Sequence, residues 1–229
     1  MYVLHIANKN YSSWSLRPWV LMRTLGIAFE ERVHPFPDAQ SKSRFETFSP
    51  TGMVPLLEDC ATRVWDSLSI VEYLAERHEG VWPADPAARA FARSAAAEMH
   101  SGFSTLRNTC GMSCGVRVRL SEISPRLSRD ISRIGEVWGE GLQRFGGPFL
   151  AGQAFTAVDA FFCPVAFRAQ TYGLDFGPAG AAYVDRLLAL PAMREWYEAG
   201  IAETWREAGH EAEIRAAGEW TADLRATAD

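Results

Sequence analysis

Residues 2–34 read YVLHIANKNYSSWSLRPWVLMRTLGIAFEERVH, and this stretch decides the architecture of the first part of the chain. It opens with a short apolar run that predicts a buried strand, followed by the polar turn Asn8–Asn10. From about Ser15, apolar side chains recur at helical spacing until Gly26 ends the pattern. Residues 28–34 then predict a second strand. The stretch therefore indicates a β-α-β unit.

The remaining elements of the first 80 residues extend this unit. Residues 41–48 predict a short polar helix or turn, residues 54–58 and 63–65 predict a hairpin, and a helix begins at Ser67. The order β-α-β-α-β-β-α is typical of an α/β domain with the helices packed against one sheet. The sequence thus predicts a thioredoxin-like first domain over residues 1–80.

The character of the chain changes after the Pro-rich segment 81–86, which we interpret as a linker. From residue 87 onward the sequence is rich in alanine, and apolar side chains recur every three to four residues. We therefore predict an all-helical second domain over residues 87–229. The tail beyond Glu207 is left open, because its Ala-, Glu- and Arg-rich composition allows a helix without requiring one.

Composition restricts the functional class. The 229 residues are 48% hydrophobic and 22% charged with a formal net charge of -5, which is ordinary for a globular domain and excludes disordered classes. The negative charge and the absence of a Lys/Arg block argue against nucleic acid or membrane partners. No apolar run reaches the roughly 18 residues of a membrane span. Four cysteines without framework spacing indicate a reducing cytoplasm.

Four short motifs together resemble the cytosolic glutathione transferases. They are YSSWS at 11–15, SPTGMVPL at 49–56, DSLSI at 66–70 and FTAVD at 155–159. Each is weak alone, but their order and spacing across about 205 residues are similar to the serine-type members, zeta-like or a related bacterial class. The resemblance implies a thioredoxin-like domain, a helical domain and an enzyme that activates glutathione as its substrate.

Ser12 is the predicted catalytic residue. Free amides and the positive dipole end of a helix favour an anion there, and a hydroxyl donor would stabilise the thiolate of glutathione, whose thiol is mostly protonated at neutral pH. The resemblance assigns this role to Ser12, with Ser13 in reserve and Tyr11 as a weaker alternative. Both serines could instead serve only as helix caps.

The resemblance also implies a set of glutathione-binding residues. The family binds the cysteinyl backbone of glutathione at the peptide before a cis-proline, which here is Val54, preceded by Met53. Asp66 and Ser67 suit the γ-glutamyl end, although they would also cap a helix. Lys42 stands where relatives face the glycyl carboxylate, and a solvated surface lysine is the alternative.

The acceptor site is expected between the first domain and the following helices, with candidates Trp14, Met99, Phe103, Arg107 and Met112. Core packing is an equal explanation for two of them, Met99 and Phe103. A cation such as Arg107 would favour an acidic or polarised acceptor. The zeta-class pattern has a cysteine where this chain has Trp14, which weakens a zeta-type isomerase reading.

Three functions remain open at this stage: glutathione transfer to an electrophile, glutathione-dependent cis–trans isomerisation like that of maleylacetoacetate isomerase, and non-catalytic ligand binding. No metal site is predicted, because Cys110 and Cys114 share a predicted helix face without two further ligands nearby. The serine-type resemblance implies a homodimer, with Phe48 and Met53 as apolar contacts.

Overall fold

A computed structural model of the chain describes residues 1–36 and 45–227. In residues 1–36 and 45–75 the first part carries four strands and two α-helices, with a single turn of 3₁₀ helix at Phe45–Thr47 before the third strand. In chain order these elements are β1 (Tyr2–Ile6), α1 (Ser13–Thr24), β2 (Phe29–Val33), β3 (Leu56–Asp59), β4 (Thr62–Val64) and α2 (Ser67–Ala75).

The four strands form one mixed sheet in the order β2-β1-β3-β4. β1 runs parallel to β2, with Tyr2 opposite Phe29, and antiparallel to β3, with Leu4 opposite Leu57. The parallel pair needs a crossover, which α1 provides. This arrangement confirms the predicted thioredoxin-like α/β fold. The loop between β1 and α1 begins where β1 ends. It therefore lies at the edge of the sheet where the candidate site is found.

The second part is built mainly from seven helices among the described residues. They are α3 (Pro86–Ser101), α4 (Ser104–Thr109), α5 (Pro125–Phe145), α6 (Ala157–Tyr172), α7 (Gly177–Leu188), α8 (Pro191–Ala202) and α9 (Ala208–Ala217). These elements confirm the predicted helical character of this part. Ser124 caps the start of α5 by accepting from the Leu127 amide at 3.2 Å, and Pro125 follows.

One element of the second part was not predicted. β5 (Val116–Leu120) and β6 (Gly218–Asp223) form an antiparallel ribbon in which Val116 lies opposite Asp223. The tail after Glu207 is thus a helix followed by a strand. The alternation of β5 spans only five residues, and its partner lies about a hundred residues later, so local periodicity could not reveal the pairing.

Helix α6 is the centre of the core and contacts α1, α3 and α7. It begins with the predicted capping box, in which Asp159 accepts from the Thr156 amide at 2.9 Å. Asp159 also accepts from the Leu150 amide and from the Tyr183 hydroxyl. Burial raises the pKa of Asp159 to about 6, although these donors oppose the shift. Across the described residues, no helix combines the length and the apolarity of a membrane span.

Candidate active site

A cavity of about 1130 Å³ opens where the two parts of the chain meet. Its walls come from the β1–α1 loop, the segment before β3, the start of α2, helices α3, α4 and α6, and helix α9. Eight of the predicted site residues line it: Ser12, Ser13, Trp14, Met53, Val54, Asp66, Arg107 and Met112. The loop, the strand edge and the helices thus bring the predicted catalytic and binding residues to one concave surface.

Ser12 lies on the cavity wall immediately before α1 and is 4% exposed. Its hydroxyl donates to the Ser15 hydroxyl at 2.7 Å, and Ser15 also accepts from the Ala7 amide. Within the described part of the chain, the Ser12 side chain caps no amide of α1. The Ser12 oxygen therefore keeps its place at the positive end of the helix without serving as the helix cap.

The neighbouring hydroxyl of Tyr11 is already engaged. It donates to a carboxylate oxygen of Glu211 at 2.6 Å and accepts from Arg225 at 3.2 Å. Burial and the Glu211 carboxylate raise the pKa of Tyr11 well above its ordinary value. Because its proton is committed to Glu211, Tyr11 is a poorer donor to a bound thiolate than Ser12. Ser13 also lines the cavity and is the first residue of α1.

The glutathione-binding candidates are divided between the cavity and its surroundings. Met53 and Val54 line the cavity, the peptide between Val54 and Pro55 is cis, and the Met53 carbonyl accepts from the Ser49 hydroxyl at 2.6 Å. Ser67 does not line the cavity; it is fully buried, and its hydroxyl lies 3.4 Å from an Arg17 nitrogen. The prediction for Lys42 lies outside the described residues.

Asp66 caps helix α2 and faces the cavity at the same time. Its carboxylate accepts from the Leu68 amide at 3.0 Å and lies 3.3 Å from the His100 imidazole. Burial lowers the pKa of His100, with Asp66 opposing the shift and Arg17 and Arg107 adding to it. The Asp66 carboxylate is about half exposed, so it can accept from a ligand ammonium as well.

The acceptor candidates separate into lining and core residues. Trp14, Arg107 and Met112 line the cavity, whereas Met99 and Phe103 belong to the buried core and do not reach it. Their apolar helical positions had already given core packing equal weight. The position of Arg107 in the wall supports the expectation of a cation near the acceptor.

Two further arginines lie at or near the cavity and were not predicted for the site. Arg17 packs 4.1 Å from the Trp14 ring and is almost fully buried, and Arg168 of α6 lines the cavity. Burial lowers the pKa of Arg17 to about 9, and Arg168 and Arg107 add to the shift. Arg168 donates to the Cys110 carbonyl at 2.7 Å. The available signal was a single arginine, Arg168, within the predominantly apolar helix α6.

Helix α9 supplies a wall that the sequence left unassigned. His210 and Glu213 line the cavity, and the His210 ring stacks on Tyr11 with ring centroids 5.0 Å apart. The His210 Nδ1 atom lies 2.7 Å from the Glu207 carboxylate. No local pattern in the alanine-rich tail identifies His210 as a site residue, because its ring partner Tyr11 lies about two hundred residues earlier in the sequence.

No metal cluster is found in residues 1–36 and 45–227, where no three His, Cys, Asp or Glu side chains converge. Cys110 and Cys114, the pair considered for a metal, are separately buried, and burial raises the pKa of both thiols. Their thiols are consequently poor sources of thiolate.

Comparisons with known proteins identify the two parts of the chain. The profile of the glutathione S-transferase N-terminal domain matches residues 11–77, and that of the glutathione S-transferase C-terminal domain matches residues 86–199. Together they cover most of the chain. The cavity lies between the two matched regions, and helix α9 with its cavity-lining His210 lies beyond both.

Individual relatives are distant. A maleylacetoacetate isomerase of Rattus norvegicus is 26% identical over 199 residues, covering 84% of this chain and 90% of that protein. The glutathione S-transferase-like protein OpS6 of Beauveria bassiana is 25% identical over 193 residues, covering 78% and 88%. The theta class glutathione S-transferase of Xanthomonas axonopodis, solved with glutathione bound, superposes with a TM-score of 0.63 at 22% identity, covering 86% and 96%.

Proposed function

The chain belongs to the glutathione S-transferase family, and from this premise we propose that it activates glutathione through the Ser12 hydroxyl for attack on a small electrophile. The proposal rests on the position of Ser12. Its oxygen is held at the N-terminal end of α1 in the cavity wall, with its side chain engaged only by another hydroxyl among the described residues. A hydroxyl donor and a helix end both favour the thiolate over the thiol.

The Ser12–Ser15 pair gives this donor a second hydroxyl behind it. When a thiolate enters the cavity, the Ser12 proton can turn toward the sulfur while Ser15 donates its own proton to the Ser12 oxygen. Both hydroxyls rotate freely about their C–O bonds, so the change needs no backbone movement. The pair then forms a short chain of donors that ends on the sulfur, and each bond in such a chain polarises the next.

The remainder of glutathione is proposed to extend from Ser12 along the segment before β3 toward α2. The backbone of Val54, following Met53, would pair with the cysteinyl backbone. The Asp66 carboxylate would accept from the γ-glutamyl ammonium, and the helix N-terminus at Ser67 would receive the γ-glutamyl carboxylate. Lys42 is proposed for the glycyl carboxylate from the family resemblance alone.

The experiment is a titration of the protein with glutathione, following the thiolate absorbance of the bound ligand, together with a panel of electrophiles. We expect saturable binding at millimolar glutathione, a bound thiol that is ionised at neutral pH, and turnover of at least one electrophile. Absence of binding would leave only the non-catalytic reading of the fold. Binding without ionisation would remove Ser12 activation and keep the family assignment.

A second candidate function is isomerisation of an acidic alkene, in which the thiolate adds, the carbon–carbon bond rotates and the thiolate leaves. The observation that favours it is the pair Arg107 and Arg168 in the cavity wall, since guanidinium groups bind carboxylates well. The isomerase named among the relatives agrees with this reading. Incubation with a cis-unsaturated dicarboxylate separates the two functions, because isomerisation regenerates glutathione and transfer consumes it.

We also propose a homodimer in a reducing cytoplasm. Met53, at 65% exposure, is a large apolar side chain that solvent does not favour, while Phe48 is packed between His5 and His34. All four cysteines are free thiols, and three of them are buried. Sedimentation at micromolar concentration measures the state directly, and a monomer would contradict the dimer proposal.

A further inference from the structure

Helix α9 contributes the His210 imidazole to the cavity, and the carboxylate of its N-cap residue Glu207 contacts that ring, beyond the regions that match the family. We propose that His210, oriented by Glu207, is the proton relay of this enzyme: it takes the thiol proton of bound glutathione and delivers it to an acceptor whose double bond the sulfur has attacked. This inference rests on the proposed glutathione transfer, because it adds a proton path to the same site.

The orientation of the imidazole is fixed by Glu207. This carboxylate accepts from the backbone amides of Gly209 at 3.0 Å and His210 at 2.7 Å, and it lies 2.7 Å from His210 Nδ1. Burial opposes ionisation of Glu207, but these donors together hold its pKa below the ordinary value. An ionised carboxylate only accepts, so Nδ1 carries the hydrogen and Nε2 carries the lone pair.

Nε2 is thereby the atom available for chemistry. Within the described ranges, with residues 37–44 set aside, no protein group forms a hydrogen bond to it, while the ring lines the cavity. The Glu207 carboxylate holds the imidazole in one tautomer. Histidine–carboxylate pairs act as bases in proton transfer in this way. Glu207 is a positioning residue in this scheme, because it touches only the imidazole.

The His210 ring packs against the β1–α1 loop, which carries Ser12. It stacks on Tyr11 with centroids 5.0 Å apart and packs at a tilt against Phe36 with centroids 4.6 Å apart. Tyr11 directly precedes Ser12 and is itself fixed through its hydroxyl by Glu211 and Arg225. The imidazole therefore packs against the residue that directly precedes Ser12, and His210 and Ser12 line the same cavity.

The proposed step balances without another reactant. The glutathione S–H bond breaks, its proton moves to Nε2, and the electron pair stays on sulfur beside Ser12. The thiolate then forms a carbon–sulfur bond at one end of a conjugated double bond, and the π electrons move toward the electron-withdrawing group. The carbanion takes the proton from Nε2, which restores neutral His210. The sum is the addition of sulfur and hydrogen across the double bond.

The charges around His210 are mostly acidic. The Glu207 carboxylate contacts Nδ1, and Glu213 lines the cavity about one helical turn after His210. The Glu211–Arg225 pair contacts the Tyr11 hydroxyl. These carboxylates surround the ring with negative charge, and Arg225 is neutralised by Glu211 and Asp223.

The test compares two acceptors in wild type and in His210→Phe, a variant that retains an aromatic ring against Tyr11. A conjugated enone needs a proton after sulfur attack, whereas an aryl chloride releases chloride and needs none. General acid–base catalysis contributes about 100- to 10,000-fold, so we expect the ratio of enone turnover to aryl chloride turnover to fall by about 100-fold.

The matched variant is Glu207→Gln, which keeps an acceptor oxygen for the α9 amides and removes the charge facing Nδ1. We expect it to lower the same ratio by a smaller factor. Removal of the thiol proton is common to both acceptors and cancels in the ratio, so an unchanged ratio in His210→Phe, or a wild type inactive toward enones, would overturn the proton relay. The proposed transferase is tested separately by the aryl chloride reaction of the wild type, which needs no proton delivery to the acceptor.

Discussion

The hydroxyl of Ser12 donates to the hydroxyl of Ser15 across 2.7 Å, so two serines one helical turn apart share a proton at the entrance to α1. In the Ser12→Ala variant, the pKa of bound glutathione should rise and turnover at neutral pH should fall by about 10- to 100-fold. An oxyanion-type donor contributes about 2.7–4 kcal/mol elsewhere; the loss should be smaller here, because the helix end stabilises the same charge. Thiolate absorbance against pH measures the shift.

Ser13→Ala is the matched control for the thiolate. If Ser13→Ala moves the thiol pKa and Ser12→Ala does not, the role belongs to Ser13. If neither does, serine activation is wrong. Ser15→Ala is expected to give an intermediate shift, because it removes the second hydroxyl and leaves the donor in place.

A second prediction concerns acidic acceptors. Replacing Arg107 by Gln should raise KM for a carboxylate-bearing acceptor by about 10- to 100-fold, since a hydrogen bond to a charged group contributes about 1.5–3 kcal/mol. KM for a neutral acceptor should remain within about twofold. The control is Arg129→Gln, an exposed arginine on α5 outside the cavity. Equal effects of Arg107→Gln on both acceptors would contradict a carboxylate contact.

Asp159 makes stability depend on pH in a defined window. Burial raises its pKa from 3.8 to about 6, so between these values the folded state binds a proton that the unfolded state does not. The contribution of protonated Asp159 to the free energy of unfolding is fully present below about pH 4 and is lost as pH rises through about 6. At about 1.4 kcal/mol per pKa unit, the loss is about 3 kcal/mol.

The measurement is urea unfolding of the wild type and of Asp159→Asn from pH 4 to pH 7. Asparagine cannot ionise, so subtracting its unfolding free energy from that of the wild type removes the titration of all other groups. The difference should decrease as pH rises through the window. A difference that stays constant would mean that the donors to Asp159 hold its pKa near the ordinary value.

The last prediction concerns the attachment of the C-terminal segment. Arg225, with a side chain only 2% exposed, pairs with Glu211 and Asp223 and donates to Tyr11. Arg225→Met leaves two carboxylates without their cation, which costs about 3 kcal/mol or more in a buried pair. Amide exchange across α9 should accelerate by roughly 100-fold, as mass spectrometry of deuterium uptake would detect.

Arg119→Met is the comparison for this effect. Arg119 pairs with Glu219 on the same ribbon, but both side chains are well exposed. Exposed pairs contribute about 0–1 kcal/mol, so exchange in α9 should change less than about fivefold. Similar acceleration in both variants would show that the ribbon, rather than the contact with Tyr11, holds the helix.

The sequence predicted what local patterns determine. Periodicity identified the β-α-β start, and the cap at Ser124 and the capping box of Asp159 were visible as short motifs. The sequence did not identify Arg168 and His210 as site residues, because their roles depend on partners far away in the chain. Met99 and Phe103 had the right composition for an acceptor site, but which face of a helix meets a cavity is decided by packing, and both side chains point into the core.

The hydrogen bond between Tyr11 and Glu211 joins residues 200 positions apart. A ribosome adding about 5–20 residues per second needs roughly 10–40 s to cover that distance. During this interval the loop carrying Ser12 has emerged, but the helix that closes its flank has not been made. The newly made enzyme therefore passes through a stage with an open site, and the wall that α9 supplies is added only after that interval.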